Sequence, residues 1–138
     1  PLKRALRLGK LSLAALSATL RLYRHSPDLR VQLPTLRLLT RPIAEMEAIG
    51  EVVQDRLQQV LGSDFSIEMI ETFAQIGSGT LPAEELPSRA IAIGHSTIRA
   101  GAIAQRFRGA RPPIIGRIRD NTFLLDLRAI FDPEDLVP

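Results

Sequence analysis

The spacing of apolar residues along this chain switches between two periods, and the switch points divide it into elements. Between Leu11 and Tyr23, the residues Leu13, Leu16, Leu20 and Tyr23 step by three, four and three, the mark of one apolar face on a helix. Ser12 is placed to cap its start and Ser26-Pro27-Asp28 to stop it. Arg21 and Arg24 fall in its last turn, where cations complement the carbonyl end of the helix dipole. Leu33 to Pro42 predicts a short helical turn that ends or bends before Pro42, since a proline pushes the residue ahead of it out of helical geometry. A longer helix follows, carried by Ile43, Met46, Ile49, Val53, Leu57 and Val60. Glu45 and Glu47 lie in its first turns and Gly62 ends it. Gly50 within that helix costs about 1 kcal/mol against alanine, so packing must tolerate or require it.

The period then changes to two. Phe65-Ser66-Ile67-Glu68-Met69 alternates as a half-buried strand does, and Arg89 to Gly94 predicts a second short strand. Between them, Gln75 to Pro82 is a glycine-punctuated loop. Ser96 is placed to cap a helix whose Ala100, Ile103, Ala104 and Phe107 form a narrow apolar face, broken by Gly109 to Pro113. The stretch Pro112 to Arg128 reads as a hairpin, because Asp120 and Asn121 tolerate the left-handed backbone of a tight primed turn. On its return strand Phe123, Leu125 and Leu127 share one face, with Leu124 and Asp126 on the other. Three large apolar groups on one face need a cover, which makes this hairpin the centre of a sheet. The order helix, helix, strand, strand, helix, strand, strand predicts an α/β two-layer unit, a largely antiparallel sheet backed by helices.

A length of 138 residues suits about one domain, and the 45% hydrophobic and 24% charged content is that of an ordinary soluble globular chain. No apolar run approaches the roughly 18 residues of a membrane span, and the basic opening residues lead into no signal-peptide core. The absence of cysteine removes disulfides and thiolate metal sites, and fits a cytosolic address. The start at Pro1 and the stop at Asp132-Pro133-Glu134-Asp135-Leu136-Val137-Pro138, which reads as a helix barely begun, predict a fragment of a longer chain. Charge is unevenly placed. Residues 1–41 hold nine Lys/Arg against Asp28 alone, residues 42–88 hold Arg56 against nine acids, and residues 89–138 hold eight arginines against five acids. Such blocks fit an anionic ligand, nucleic acid or a partner domain, or neutralise one another across the fold.

Several chemistries lack their residues. His25 and His95 stand without the neighbours a metal site needs. Gly77-Ser78-Gly79 matches neither a dinucleotide loop nor a P-loop, and Ser78 is not in a nucleophile elbow. Asp126 reads as a hydrogen-bonded or solvent-facing acid. Five Phe, one Tyr and no Trp make a weak stacking platform for RNA. The positive signal is arginine, sixteen against two lysines. Arg4 and Arg7, three apart, point the same way on a helical turn and could grip one tetrahedral anion, or form part of a solvated basic face.

Five blocks in order carry a family resemblance. They are Pro1 to Arg7 with Lys10 to Leu16, Leu33 to Arg41, Gln75 to Pro82, Pro113 to Ile118, and Leu124 to Arg128. Together they resemble the C-terminal portion of bacterial selenocysteine synthases, the L-seryl-tRNA(Sec) selenium transferases. The resemblance implies the small C-terminal domain of a fold-type-I pyridoxal phosphate enzyme, residues 41–138, preceded by a connecting helical segment, residues 1–40. It implies a cytoplasmic homo-oligomer, a decamer in the family, with seryl-tRNA(Sec) and selenophosphate as substrates. The seryl hydroxyl leaves as water and selenium takes its place. The lysine that holds the cofactor belongs to a motif upstream of this segment; Lys3 and Lys10 lack its context, so no catalytic residue is expected here.

The family's pocket arginines fall on Arg4 and Arg7, which the resemblance makes the grip on the oxyanion end of the selenium donor. Arg117 is a weaker candidate for a substrate anion. Two readings from other classes stand beside this one: a basic adaptor binding RNA through residues 1–41, and a structural oligomerisation domain.

Overall fold

In the computed structural model, which describes residues 7–75 and 85–138, the chain divides into two units, Pro1–Thr40 and Arg41–Pro138. The first is helical. Helix α1 spans Lys10–His25 and is followed by the helical turns α2, Leu29–Gln32, and α3, Pro34–Leu39. Helix α1 starts before Ser12, with Gly9 at the cap position and the Leu13 amide on the Gly9 carbonyl, so Ser12 is not the cap. Asp28 caps α2 by accepting from the Arg30 amide at 3.1 Å. None of the residues of these three helices is buried.

The second unit is a two-layer α/β fold. Helix α4 spans Ile43–Leu61, strand β1 Phe65–Gln75, strand β2 Glu85–His95, helix α5 Ala100–Arg108, strand β3 Arg117–Arg119 and strand β4 Thr122–Asp126. Two 3-10 turns, Leu127–Ala129 and Pro133–Leu136, close the chain. The strands form one antiparallel sheet in the order β1-β2-β4-β3.

Register explains the core. Pairing Ile67 with Ile93, Met69 with Ile91, and these with Phe123 and Leu125 of β4 gathers these six large apolar residues on one face. Helix α4 covers that face with Met46, Val53 and Leu57, and α5 with Ile103 and Phe107, all buried. The Phe107 and Phe123 rings meet at 5.1 Å between centroids. The predicted apolar face of Phe123, Leu125 and Leu127 is fully buried, which places β4 inside the sheet while β3 forms an edge. Asp120 and Asn121 both take positive φ, 49° and 57°, as a two-residue primed turn requires. Gly62 ends α4 with φ 86°.

Two further expectations change, and one is met. Strands β1 and β2 run well past Met69 and back before Arg89, because the pairs Glu71 with Arg89, Thr72 with Ser88 and Phe73 with Pro87 continue the ladder. Pro87 is tolerated because β4 pairs only with Ala90 to Ile93, so the missing N–H interrupts no bond to β4. Ser96 does not cap α5. The His95 Nδ1 accepts from the Thr97 and Ile98 amides, each at 3.1 Å, and holds the turn open until Arg99, whose carbonyl starts the helix. Packing requires Gly50: a Cβ there would lie 2.9 Å from Leu127 Cδ1 and closer still to Met69 Sδ. Because that sulfur ends a flexible chain, Gly50→Ala should cost only about 1–2 kcal/mol in urea titrations, overpacking outweighing the gain in helix propensity. The glycine-rich loop predicted between β1 and β2 lies outside the described residues.

Candidate functional site

The sheet face turned away from α4 and α5 carries the polar residues of alternate positions. On β3, Arg117 stands opposite Leu124 on that face. Its Nη2 donates to Thr72 Oγ1 and its Nη1 to the Phe73 carbonyl at 3.3 Å, both on β1. The same Nη2 lies 3.7 Å from Asp126 Oδ2. The other carboxylate oxygen of Asp126 accepts from Ser88 Oγ at 2.8 Å and from the Arg128 amide at 3.0 Å. One guanidinium and one carboxylate therefore join all four strands, with Thr72 and Ser88 buried beneath them. Asp126 is a hydrogen-bonded acid. Asp126→Ala should lower stability by about 2–3 kcal/mol in thermal or urea unfolding, since it strands a buried hydroxyl and frees Arg117. Asp126→Asn keeps an acceptor and should cost less.

Next to this network two arginines are buried together. Arg41 Nη1 donates to the carbonyls of Leu127 and Arg128, at 3.2 and 3.1 Å, and to that of Ile130. Its Nε lies 3.1 Å from Glu45 Oε1. Arg128 answers with Nη1 on the Arg41 carbonyl at 3.4 Å and Nη2 on the Pro87 carbonyl. Burial holds the Arg128 guanidinium below its ordinary pKa; Asp126 opposes that shift and Arg41 adds to it. Nothing in the spacing of Arg41, Ser88, Asp126 and Arg128 marked them as partners.

A shallow trough of about 410 Å³ runs across the same sheet face, lined by Glu68, Ile70, Ala92, Arg119, Thr122 and Leu124 among others. No aromatic side chain lines it, so bases have no ring to stack on there.

Of the arginines expected to bind anions, Arg4 lies outside the described residues. Arg7 is exposed and precedes α1 without regular secondary structure, so the helical turn expected to align the pair does not include it. Arg7 belongs to the unit Pro1–Thr40 and Arg117 to the unit Arg41–Pro138. Lys10, the first residue of α1, is exposed. Among the described residues no three His, Cys, Asp or Glu come together as a metal set, and no helix is long and apolar enough to cross a membrane.

The model of the family described as L-seryl-tRNA selenium transferase, SelA, matches residues 1–131. Similar curated proteins are named L-seryl-tRNA(Sec) selenium transferase. That of Klebsiella pneumoniae is 48% identical over 136 residues, covering 96% of this chain and 29% of the relative. Those of Serratia proteamaculans and Haemophilus influenzae are 46% and 43% identical, covering 99% of this chain and 30% of each relative. The chain thus spans under a third of the length of the curated relatives it matches. A match along nearly the whole chain, at this identity, shows that the protein belongs to the L-seryl-tRNA selenium transferase family.

Proposed function

We propose that this chain is the C-terminal part of an enzyme that converts seryl-tRNA(Sec) to selenocysteinyl-tRNA(Sec) in the cytoplasm, with selenophosphate as selenium donor. The supporting observation is the family match over residues 1–131 together with 43–48% identity to proteins named for that transfer. Pyridoxal phosphate, as an electron sink, is the cofactor proposed for the whole enzyme. Among the described residues no lysine fits the Schiff-base role. Lys10 is exposed, whereas a Schiff-base lysine is activated by desolvation or by a neighbouring cation. Borohydride reduction of this chain with pyridoxal phosphate should therefore trap no single lysine stoichiometrically.

The contribution proposed for these residues is anion recognition and assembly. Arg4 and Arg7 hold the oxyanion end of the selenium donor, each charge-assisted bond worth about 1.5–3 kcal/mol where water is excluded. In the intact enzyme, Arg4→Ala or Arg7→Ala should lower kcat/KM for selenophosphate by roughly 10- to 100-fold and change tRNA affinity far less. Equal loss of both would mean that the pair touches RNA instead.

Arg117 is the second anion contact in this proposal. Its guanidinium is half exposed, yet a substrate anion must compete there with Asp126. A raised KM at unchanged stability in Arg117→Ala supports contact with substrate; lost stability at unchanged KM assigns it to bracing the strands. Self-association to a homo-oligomer completes the reading.

A further inference from the structure

From Ser96 to Arg119 the sequence holds six arginines and not one acid. Two of the six are engaged on the sheet. Arg117 is held by Thr72, Phe73 and Asp126, and Arg119 Nε lies 3.4 Å from Asp120 Oδ2. The other four, Arg99, Arg106, Arg108 and Arg111, are exposed. None of these four has an ion pair or a side-chain hydrogen bond among the described residues.

Helix stability does not account for where they stand. Arg106 and Arg108, in the last turn of α5, suit the carbonyl end of the dipole. Arg99 stands at the opposite end, at the N-cap position with no capping bond from its side chain, where the dipole disfavours a cation. Arg111 follows the end of the helix. Because α5 buries Ala100, Ile103, Ala104 and Phe107, a turn of 3.6 residues puts Ala102 and Gln105 in the middle of its outward side. Arg106 and Arg108 fall on the two flanks. Nothing lies within 4 Å of a Cβ at Gly101, so the first turn is open as well. The outward side is a small uncharged ridge between unpaired guanidinium groups.

We propose that this ridge of α5, with Arg99 and Arg111 beyond its ends, binds the phosphate backbone of a tRNA. Arg99 and Arg108 lie about 13 Å apart along the axis at 1.5 Å per residue, too far to close on one small anion. A run of phosphates spans that distance, and guanidinium groups bond phosphate oxygens in pairs. Small residues on the ridge let the sugar-phosphate chain come close. No exposed position of α5 carries an aromatic or large aliphatic side chain, so neither base stacking nor a lipid surface finds an anchor there. The contact is electrostatic and blind to base sequence. It rests on the reading of the whole enzyme as one that acts on seryl-tRNA(Sec), and gives that substrate a surface in the unit Arg41–Pro138.

Filter binding of bulk tRNA to the 138-residue chain tests it, with salt varied from about 0.05 to 0.3 M. Affinity should fall steeply as salt rises. Arg106→Gln combined with Arg108→Gln should weaken binding about tenfold near 0.1 M salt and flatten the log–log slope by about 1.4–1.8, or 0.7–0.9 per lost phosphate contact. Gln105→Arg, in the middle of the ridge, should tighten binding and steepen the slope by about one. These positions are exposed, so the unfolding midpoint should not move. Arg21→Gln with Arg24→Gln, in α1, should leave affinity nearly unchanged. Losses from the α1 pair that equal or exceed those from the α5 pair overturn the proposal, as does a chain with no salt-dependent tRNA affinity. Neither result touches the proposed reaction, which is read separately as selenium transfer by the intact enzyme. Poly-glutamate bound as tightly as tRNA, and lost through the same α5 substitutions, makes the ridge a docking face for an acidic protein and also overturns it.

Discussion

Arg41→Met is expected to lower the unfolding free energy of the unit Arg41–Pro138 by about 3 kcal/mol or more, read from urea titrations followed by circular dichroism. The side chain is only 1% exposed, and its Nη1 is the shared donor to three backbone carbonyls at residues 127, 128 and 130. Those carbonyls belong to a 3-10 turn and its exit, where the Leu127 carbonyl also accepts from the Ile130 amide at 3.3 Å. Methionine fills most of the volume but donates nothing, so the buried acceptors lose their charged donor. The ion pair with Glu45 adds little, because that carboxylate is 42% exposed. Arg41 Nη2 is buried without a hydrogen-bond partner among the described residues, while the Phe131 ring centroid lies 5.9 Å from Cζ. Arg41→Lys keeps the charge without the planar fork and should recover less than half the loss. A change under about 1 kcal/mol in Arg41→Met would show that water replaces the guanidinium freely.

Gly116→Ala should be comparably damaging. A Cβ at Gly116 would sit 2.7 and 2.8 Å from two carbons of the Phe123 ring and nearer still to the Leu124 carbonyl oxygen. The carbonyl is backbone and the ring is fully buried against Phe107, so neither can move aside cheaply. The expected loss is about 3 kcal/mol, seen as a lower urea midpoint at unchanged slope. Gly101→Ala is the contrasting variant. Nothing lies within 4 Å of a Cβ at that position of α5, and the change should stabilise by up to about 1 kcal/mol. If both variants behaved alike, the close approach of β4 to Gly116 would not be what constrains that residue.

Elements whose cause lies within a few residues could be read in advance. Helix α4 follows from the recurrence of Met46, Val53 and Leu57, and the hairpin from two adjacent residues that accept positive φ. The shortfalls have specific sources. The first two strands extend further than their alternation shows because pairs such as Thr72 with Ser88 form only when both strands are present. Ser96 is not the cap of α5 because His95 Nδ1 takes the Thr97 and Ile98 amides and the helix starts only after Arg99, which no capping rule anticipates. Arg4 and Arg7 stood out through resemblance to a family more than through their spacing, and the partners of Arg117 were not legible at all.

By itself, the order of residues determined the helix periods, the turn at Asp120-Asn121, the central place of Phe123 and Leu125, and membership of the L-seryl-tRNA selenium transferase family. All of these depend on neighbours along the chain or on matched positions. Only the tertiary structure decided that Arg41 holds Leu127 and Arg128 from 86 and 87 residues away, and that Asp126 reaches Ser88 across 38. Polar groups so far apart become partners when the sheet and its helices bury them together. At that point an unpaired donor or acceptor becomes costly, and its nearest available complement is set by the path of the whole chain.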